Sequence, residues 1–173
     1  MAFLQDLDQR VEHEVQLHCC GGFVVTAAYG LARTTADLDV LSVVPPDQLR
    51  ELAALAGRGS KLHQAHGVYL DVVTVATVPE SYEERLTELY AARFQHLRLL
   101  ALDAYDLVLA KLTRNADRDR GDLEYLAATV PLDPSVLKDR YLREMRDYVA
   151  VPEREDLTLD LWIDIIEESR RRR

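Results

Sequence analysis

The sequence contains few cysteines, glycines and tryptophans, with two, seven and one of them respectively among its 173 residues. Cys19 and Cys20 are adjacent, and neighbouring side chains of a strand point to opposite faces, so a disulfide between them would be strained. We therefore expect reduced thiols and a cytoplasmic protein. The small glycine content excludes a collagen-like chain, and a hydrophobic fraction of 48% excludes extended disorder.

Long apolar runs are also missing, since no stretch approaches the ~20 residues that a membrane-spanning helix needs. The first residues lack the basic and apolar regions of a signal peptide, so no membrane partner is expected. Basic residues are outnumbered, with 21 Lys and Arg against 30 Asp and Glu and a formal net charge of -9. Duplex DNA is not expected as a partner, because the protein's own charge would repel its phosphates.

The apolar periodicity predicts a mixed α/β (α+β) fold in which strands alternate with helices before a helical second half. We expect two regions, an α/β core at 1–100 and a helical region at 101–173 that packs on this core. Asp103 is the predicted N-cap of the first helix of that second region. The predicted strands are 17–20, 38–44, 68–78 and 98–102, and the predicted helices are 3–15, 23–31, 47–56, 104–112, 119–129, 134–148 and 157–170.

Two glycines, Gly21 and Gly22, stand where the first predicted strand passes into a helix. Glycines at such a turn let backbone amides approach an anion, and the N-terminus of the following helix offers unpaired N–H groups. A turn of this kind also contains glycine for packing reasons alone. Both interpretations stay open at this point.

Three aspartates lie in otherwise apolar strands. Asp37 and Asp39 are two residues apart at the start of one strand, so their carboxylates share a face. Carboxylates side by side repel one another unless a cation lies between them, and hard oxygen ligands suit Mg²⁺. Asp71 is a single acid in the next strand and would complete a triad if the two strands pair. The alternative is a solvated strand edge with harmless acids.

Taken in order, the glycine turn, the segment Arg33 to Val40 and the isolated Asp71 resemble the nucleotidyltransferase superfamily, which has a polymerase-β-like core. The closer resemblance is to the minimal, abortive-infection-type nucleotidyltransferases of bacterial toxin–antitoxin systems. It extends into the helical half, and covers about residues 15–128. There the matching side chains are Lys111, Arg114, Arg118, Asp119 and Asp122.

This resemblance implies a nucleotidyltransferase that moves a nucleoside monophosphate from an NTP to a hydroxyl group, with Mg²⁺ or Mn²⁺ as cofactor. Asp37, Asp39 and Asp71 would hold two metal ions and act as catalytic residues. Lys111 would contact a phosphate of the NTP.

The resemblance also implies further contacts at the nucleotide and beyond it. Gly21, Gly22, Arg33 and Thr35 would contact nucleotide, and Arg118, Asp119 and Asp122 would form a further site on the helical half or hold neighbouring arginines.

The acceptor is left open by the sequence. An enzyme toxin would modify a tRNA, whereas an antitoxin-like enzyme would adenylylate a partner toxin protein, which suits an acidic chain better. A non-catalytic module that binds nucleotide or a partner is the third alternative. A homodimer also stays open.

Overall fold

A computed structural model describes residues 1–74 and 76–172 and divides the chain into two compact units. The first, called the sheet unit, comprises Met1–Val75 and Leu86–Ala101. The second, called the helical unit, comprises Ala76–Arg85 and Leu102–Arg173. The short segment Ala76–Arg85 thus groups with the helices that follow it along the chain, although two strands lie between them in sequence.

One mixed sheet forms the centre of the sheet unit, and its strands lie in the order β3-β2-β1-β5-β4. β1 is antiparallel to β2 and parallel to β5, β3 is parallel to β2, and β4 is antiparallel to β5. The predicted mixed α/β fold is therefore confirmed. The strands are β1 Val15–Cys19, β2 Asp37–Val44, β3 Tyr69–Val72, β4 Thr87–Leu89 and β5 Leu97–Ala101.

The helices of the sheet unit differ from prediction at the start of the chain. The first helix was predicted over 3–15 but ends at Asp8, because Val15 enters β1 and its N–H donates to the carbonyl of His96. Val11 and Val15 are buried all the same, so their apolar spacing served the core rather than a helix. The helices are α1 Ala2–Asp8, α2 Gly21–Tyr29, α3 Leu49–Ala56 and α4 Lys61–His66, and a 3₁₀ turn at Pro46–Gln48 precedes α3.

The strand predicted at 68–78 is shorter than expected. β3 covers Tyr69–Val72, and Val75 lies outside the described residues. β3 is an edge strand that pairs with β2 alone, and the last bond of this ladder runs from the N–H of Val73 to the carbonyl of Val40. Next to this bond, between Val40 and Ser42, the pairing of β2 with β1 shifts register.

The helical unit contains α5 Ala104–Leu112, α6 Asp117–Thr129, α7 Pro134–Glu144 and α8 Pro152–Arg171. The Asp103 carboxylate accepts a hydrogen bond from the backbone N–H of Asp106 at 2.8 Å, which confirms it as the N-cap of α5. α8 begins five residues before the predicted start at Leu157, with Pro152 in its first turn, where a missing N–H costs nothing. Leu107, Leu123 and Trp162 are buried in this unit.

No helix in the described residues is long and apolar enough to span a membrane.

Candidate functional site

The three strand aspartates share one face of the sheet, which we call the carboxylate face. In β2 the side chains of Leu38 and Val40 are buried, whereas Asp37 and Asp39 alternate with them and are half-buried on the opposite side. The alternation follows from the pleat of the strand, in which successive side chains point to opposite faces. The apolar residues therefore anchor β2 in the core and present both carboxylates together.

The register of β3 brings Asp71 beside Asp39. These two strands are parallel, and Asp39 is the direct partner of Asp71 while Asp37 is the partner of Tyr69. Partner residues of adjacent strands lie on the same face about 4.8 Å apart. Asp71 is exposed. Three carboxylates and one phenol ring thus occupy a two-by-two patch.

Gly21 lies directly against this patch. The N–H of Cys20 donates to the carbonyl of Asp39 at 2.9 Å and extends the pairing of β1 with β2, so the chain enters α2 beside the Asp39 side chain. Gly21 has φ +67, and a Cβ placed on it would overlap the Oδ2 atom of Asp39. A side chain at position 21 is therefore excluded both by the backbone conformation and by the carboxylate.

The donor set on the carboxylate face fits Mg²⁺. In the described residues, no group of three or more His, Cys, Asp or Glu side chains lies close enough together to hold a metal ion. Mg²⁺ does not need three such ligands, because it usually takes one or two protein carboxylates and completes its octahedron with water and phosphate oxygens. The neighbouring pair Asp39 and Asp71, with Asp37 two residues away along β2, supplies hard oxygen ligands of that kind.

The two cysteines beside the glycine turn are free thiols, as predicted. Both are buried, and burial, followed by the nearby Cys20 and Asp39, raises the pKa of the Cys19 thiol far above its ordinary value. A thiol with a raised pKa holds little thiolate and is a poor nucleophile. Cys19 therefore fills space at the end of β1 rather than acting as a nucleophile.

The remaining predicted nucleotide contacts of the sheet unit lie in two segments. Gly22 is the second residue of α2 and is buried. Arg33 and Thr35 are half-buried in the segment between α2 and β2. Their predicted contact with nucleotide stays a prediction.

The predicted residues of the second region form a compact ion-pair network inside the helical unit. The Lys111 ammonium, on a side chain 5% exposed, lies 2.9 Å from Oδ2 of Asp122 and 3.4 Å from Oδ1 of Asp119. Both carboxylates are fully buried. Arg114 donates from Nε to Oδ2 of Asp119 at 2.7 Å, and the backbone N–H of Ala116 donates to the same atom at 3.1 Å.

The charges in this network explain the titration of Asp119. Burial alone would raise its pKa, but the hydrogen bond from Arg114 and the nearby Lys111 charge outweigh burial and lower the pKa below its ordinary value. The network thus keeps a buried carboxylate ionised.

The resemblance left two roles open for Asp119 and Asp122, a further site on the helical half or the holding of neighbouring arginines, and in the structure Arg114 pairs with Asp119. Arg118 is exposed on α6. The Lys111 ammonium faces Asp119 and Asp122 rather than solvent, an arrangement that favours a positioning role over a direct contact with phosphate.

A second buried network in the helical unit involves residues that were not predicted from the sequence as site residues. Asp106 is fully buried and accepts from Nε of Arg85 at 2.8 Å and from Nη1 of Arg140 at 2.8 Å, while Arg85 also reaches Glu144 at 2.8 Å. Burial raises the pKa of Asp106 despite both arginines. Arg85 thereby fastens the segment Ala76–Arg85 to α5 and α7. The sequence signal for this network is the position of Asp106, an acidic residue on the apolar side of a predicted helix, which indicates a buried carboxylate with a basic partner.

A mixed sheet that presents adjacent carboxylates on parallel-paired strands, next to a helix begun by glycine, defines a core of the nucleotidyltransferase class. The chain belongs to the family described as "Nucleotidyltransferase of unknown function (DUF6036)", whose family model matches residues 2–170. No curated protein and no solved structure matches the chain significantly. The superfamily predicted from the sequence is therefore confirmed, and the closer resemblance to abortive-infection-type enzymes stays a prediction.

Proposed function

We propose that this protein is a metal-dependent nucleotidyltransferase that moves a nucleoside monophosphate from an NTP to the hydroxyl group of an acceptor. One observation carries the proposal, namely that Asp39 and Asp71 are direct partners on parallel strands with Asp37 on the same face. The chain belongs to a family described as nucleotidyltransferases, and carboxylates grouped in this way are the ligands that two-metal nucleotidyl transfer needs.

Asp37, Asp39 and Asp71 would hold Mg²⁺ or Mn²⁺. The bound ions would neutralise charge on the attacking and leaving oxygens of the displacement at the α-phosphorus. Asp71 is the exposed member of the three. Its carboxylate would therefore accept the proton of an incoming hydroxyl group or orient that group. The half-buried pair Asp37 and Asp39 is held more firmly by the core residues that alternate with it.

The start of α2 would bind the triphosphate. The first N–H groups of a helix have no partner within the helix and carry a partial positive charge, which favours phosphate. Gly21 and Gly22 add no side chains of their own to that turn, and the Asp39 carboxylate lies against Gly21. Arg33 and Thr35 would add contacts to the nucleotide from the neighbouring segment.

In the helical unit, Lys111 would act through Asp119 and Asp122. A buried ammonium between two buried carboxylates is best suited to fix α5 against α6, and Arg114 closes the network at its exposed end. The predicted phosphate contact of Lys111 is tested below by substitution.

For the biological role we propose the enzyme of a bacterial toxin–antitoxin system, on the resemblance to abortive-infection-type nucleotidyltransferases. The acceptor would be an RNA such as tRNA in a toxin. A cognate protein as acceptor, in an antitoxin-like enzyme, is the second candidate, and the net charge of -9 favours it because an acidic body repels RNA phosphate.

The test is incubation with each of four α-labelled NTPs and Mg²⁺, together with total tRNA or a candidate partner protein. We expect label on the acceptor with the wild type, and its loss in Asp39→Asn and in Asp37→Asn. Glu51→Gln, an exposed acid on α3, is the matched control and retains labelling. Labelling that survives in the Asp39→Asn variant contradicts the metal-site assignment. Nucleotide binding without label on any acceptor supports the non-catalytic module instead.

A further inference from the structure

Beside the three carboxylates, the fourth position of the two-by-two patch is occupied by Tyr69, the direct partner of Asp37. The ring is buried, 7% exposed, although it lies on the face that the carboxylates share. Two side chains cover it. The Arg58 guanidinium carbon lies 4.6 Å from the ring centroid, and the His63 ring meets it edge-on at 5.1 Å between centroids.

Arg58 is exposed, and its guanidinium also donates to the Tyr69 hydroxyl. A guanidinium stacked on a ring keeps its other face and its remaining N–H groups available, and a stacked arginine loses little freedom when it binds an anion. Among the described residues, no carboxylate lies within ion-pair distance of Arg58. The result is an oriented cation on the ring of Tyr69, the residue that pairs with Asp37.

The loop that carries Arg58 is held in place. The N–H of Ser60 donates to the carbonyl of Gly57 at 3.0 Å, and the Ser60 hydroxyl caps α4 by accepting from the N–H of His63 at 3.1 Å. Nδ1 of His63 in turn accepts from the N–H of Gly59 at 2.9 Å. His63 therefore supports both the loop and the Tyr69 ring, which fixes the position of Arg58.

The position of this cation relative to β2 matters for the displacement. The glycine turn lies on the β1 side of Asp39, whereas Tyr69 and Asp71 belong to β3 on the other side of β2. Attacking and leaving oxygens lie roughly in line at the transferred phosphorus. If the triphosphate binds at the glycine turn, the attacking hydroxyl comes from the side of β3, where Arg58 is.

We propose that Arg58, stacked on Tyr69, binds a phosphate of the acceptor, and that the acceptor is therefore the end of a single-stranded polynucleotide rather than a protein side chain. This inference rests on the function proposed above, because the acceptor side is defined by the triphosphate at the glycine turn. A polynucleotide carries a phosphate one nucleotide from its terminal hydroxyl, and a guanidinium recognises phosphate through paired N–H groups. Arg58 is then a specificity-determining residue that a protein acceptor would leave without a partner.

The direct test measures RNA binding in the absence of metal. A fluorescein-labelled single-stranded RNA of about ten nucleotides is titrated with protein in EDTA at several salt concentrations, and binding is read as anisotropy. We expect Arg58→Gln to weaken binding about tenfold, as for loss of a hydrogen bond to a charged group. The slope of log affinity against log salt falls by about 0.7, as for one single-strand phosphate contact.

Three further variants make the test specific. Arg50→Gln removes an exposed arginine from α3 in the same unit and leaves affinity and slope unchanged. Arg58→Lys retains the salt slope but binds more weakly than wild type, since the ammonium cannot stack or pair as the guanidinium does. Tyr69→Phe keeps the ring and removes the hydroxyl that orients Arg58, and we expect about threefold weaker binding.

Unchanged affinity and salt slope in Arg58→Gln overturn the inference, as does a wild type that does not bind this RNA. Equal losses in Arg58→Gln and Arg50→Gln overturn it as well, because they indicate diffuse charge. Failure of the proposed function has a different signature. If RNA binding depends on Arg58 but no acceptor is labelled, the phosphate site stands and the transferase assignment falls. Label that persists in Asp39→Asn contradicts the metal-site assignment and leaves the phosphate site untouched. If a protein alone is labelled and RNA is not bound, the transferase stands and the phosphate site falls.

Discussion

Two constraints require glycine at position 21, a left-handed backbone conformation and the close approach of the Asp39 side chain, whereas Gly67 has the first constraint alone. Gly21 and Gly67 have the same φ of +67, but a Cβ on Gly67 would meet nothing within 4 Å, whereas one on Gly21 would overlap the Asp39 carboxylate. We expect Gly67→Ala to lower the free energy of unfolding by about 1–2 kcal/mol, the cost of a left-handed residue with a Cβ. Gly21→Ala adds displacement of Asp39, so it loses more stability and abolishes nucleotidyl transfer. Denaturant unfolding and the labelling assay measure the two effects.

The comparison of these two variants isolates the close approach from the backbone strain. Gly67→Ala should transfer label at the wild-type rate, because α4 ends there and a Cβ at this position would meet nothing within 4 Å. Equal activity of the two variants would show that Asp39 can move aside without consequence. The role of Gly21 would then be conformational only.

Gly121 is the opposite case, because no close neighbour in the structure requires a glycine at this position. It lies inside α6, is exposed, and a Cβ placed on it would meet nothing within 4 Å. Because alanine is a better helix former than glycine, Gly121→Ala should raise the free energy of unfolding by about 0.5–1 kcal/mol. Thermal and denaturant unfolding measure the gain. A loss of stability would contradict this expectation and would mean that α6 requires a glycine at position 121.

At the scale of elements, the contact of α5 with α6 depends on Lys111. Lys111→Met would leave Asp119 and Asp122 buried without their shared cation, and removal of one partner of a buried ion pair costs about 3–5 kcal/mol. We expect a loss of this size in denaturant unfolding. The double variant Lys111→Met, Asp122→Leu should recover part of it, because the second carboxylate then no longer needs a partner.

Lys138→Met is the matched control. Lys138 also lies 3.5 Å from a carboxylate, that of Asp160, but both side chains are more than half exposed, and an exposed pair contributes at most about 1 kcal/mol. If Lys111→Met proves as mild as Lys138→Met yet abolishes labelling, the ammonium contacts substrate as the sequence predicted. The positioning role would then be wrong.

The elements themselves show what the sequence could reveal. β2 was predicted almost at its observed bounds, because alternation of Asp37 and Asp39 with Leu38 and Val40 is a local signal. β4 was missed, since its three residues, none of which is buried, carry no period of their own. α4 was missed as well, being a six-residue helix identified by its Ser60 cap rather than by an apolar stripe.

The candidate site likewise contains residues that local sequence spacing predicts and a residue that it does not. Three carboxylates on one face were predictable, because residues two apart in a strand share a face and Asp71 stood alone in its strand. Tyr69 followed by the same rule, two residues before Asp71, and was overlooked because it is not an acid. Arg58 could not be found this way, since its place over the ring depends on the loop between α3 and α4 and on contacts that no spacing encodes.

For the molecule as a whole, the acidic excess is not spread evenly. Asp119 and Asp122 are buried with cations in one network, and Asp106 in another, so these acids contribute little surface field. Asp37, Asp39 and Asp71 are gathered on one face, where a bound cation would offset them. Because the buried acids are paired with cations, these networks leave the net charge of -9 almost unchanged, and cations bound at the carboxylate face are what would reduce it.

The same distribution sets how stability depends on pH. The pKa of Asp8 is lowered, because hydrogen bonds from the N–H groups of Gln95, His96 and Leu97 outweigh its burial. Glu144 has a lowered pKa through Arg85, and Asp119 through Arg114. A carboxyl whose folded pKa lies below its unfolded value takes up more protons when unfolded, so its stabilisation is complete at neutral pH. That stabilisation is lost as pH falls below the ordinary values of 4.5 for Glu144 and 3.8 for the two aspartates.

Asp8→Asn tests this dependence in the sheet unit. The amide cannot titrate and accepts the three N–H groups more weakly, so the variant should be less stable than wild type at about pH 7. Below about pH 4 the wild type loses the contribution of the Asp8 carboxylate as well, and the two unfolding curves should converge. Urea unfolding at a series of pH values, followed by circular dichroism, measures both. Asp47→Asn, at an exposed position in the same unit, should run parallel to the wild type throughout. A constant difference between Asp8→Asn and wild type over the whole range would mean that Asp8 titrates alike in the folded and unfolded chain, and that its three backbone bonds do not favour the ionised form.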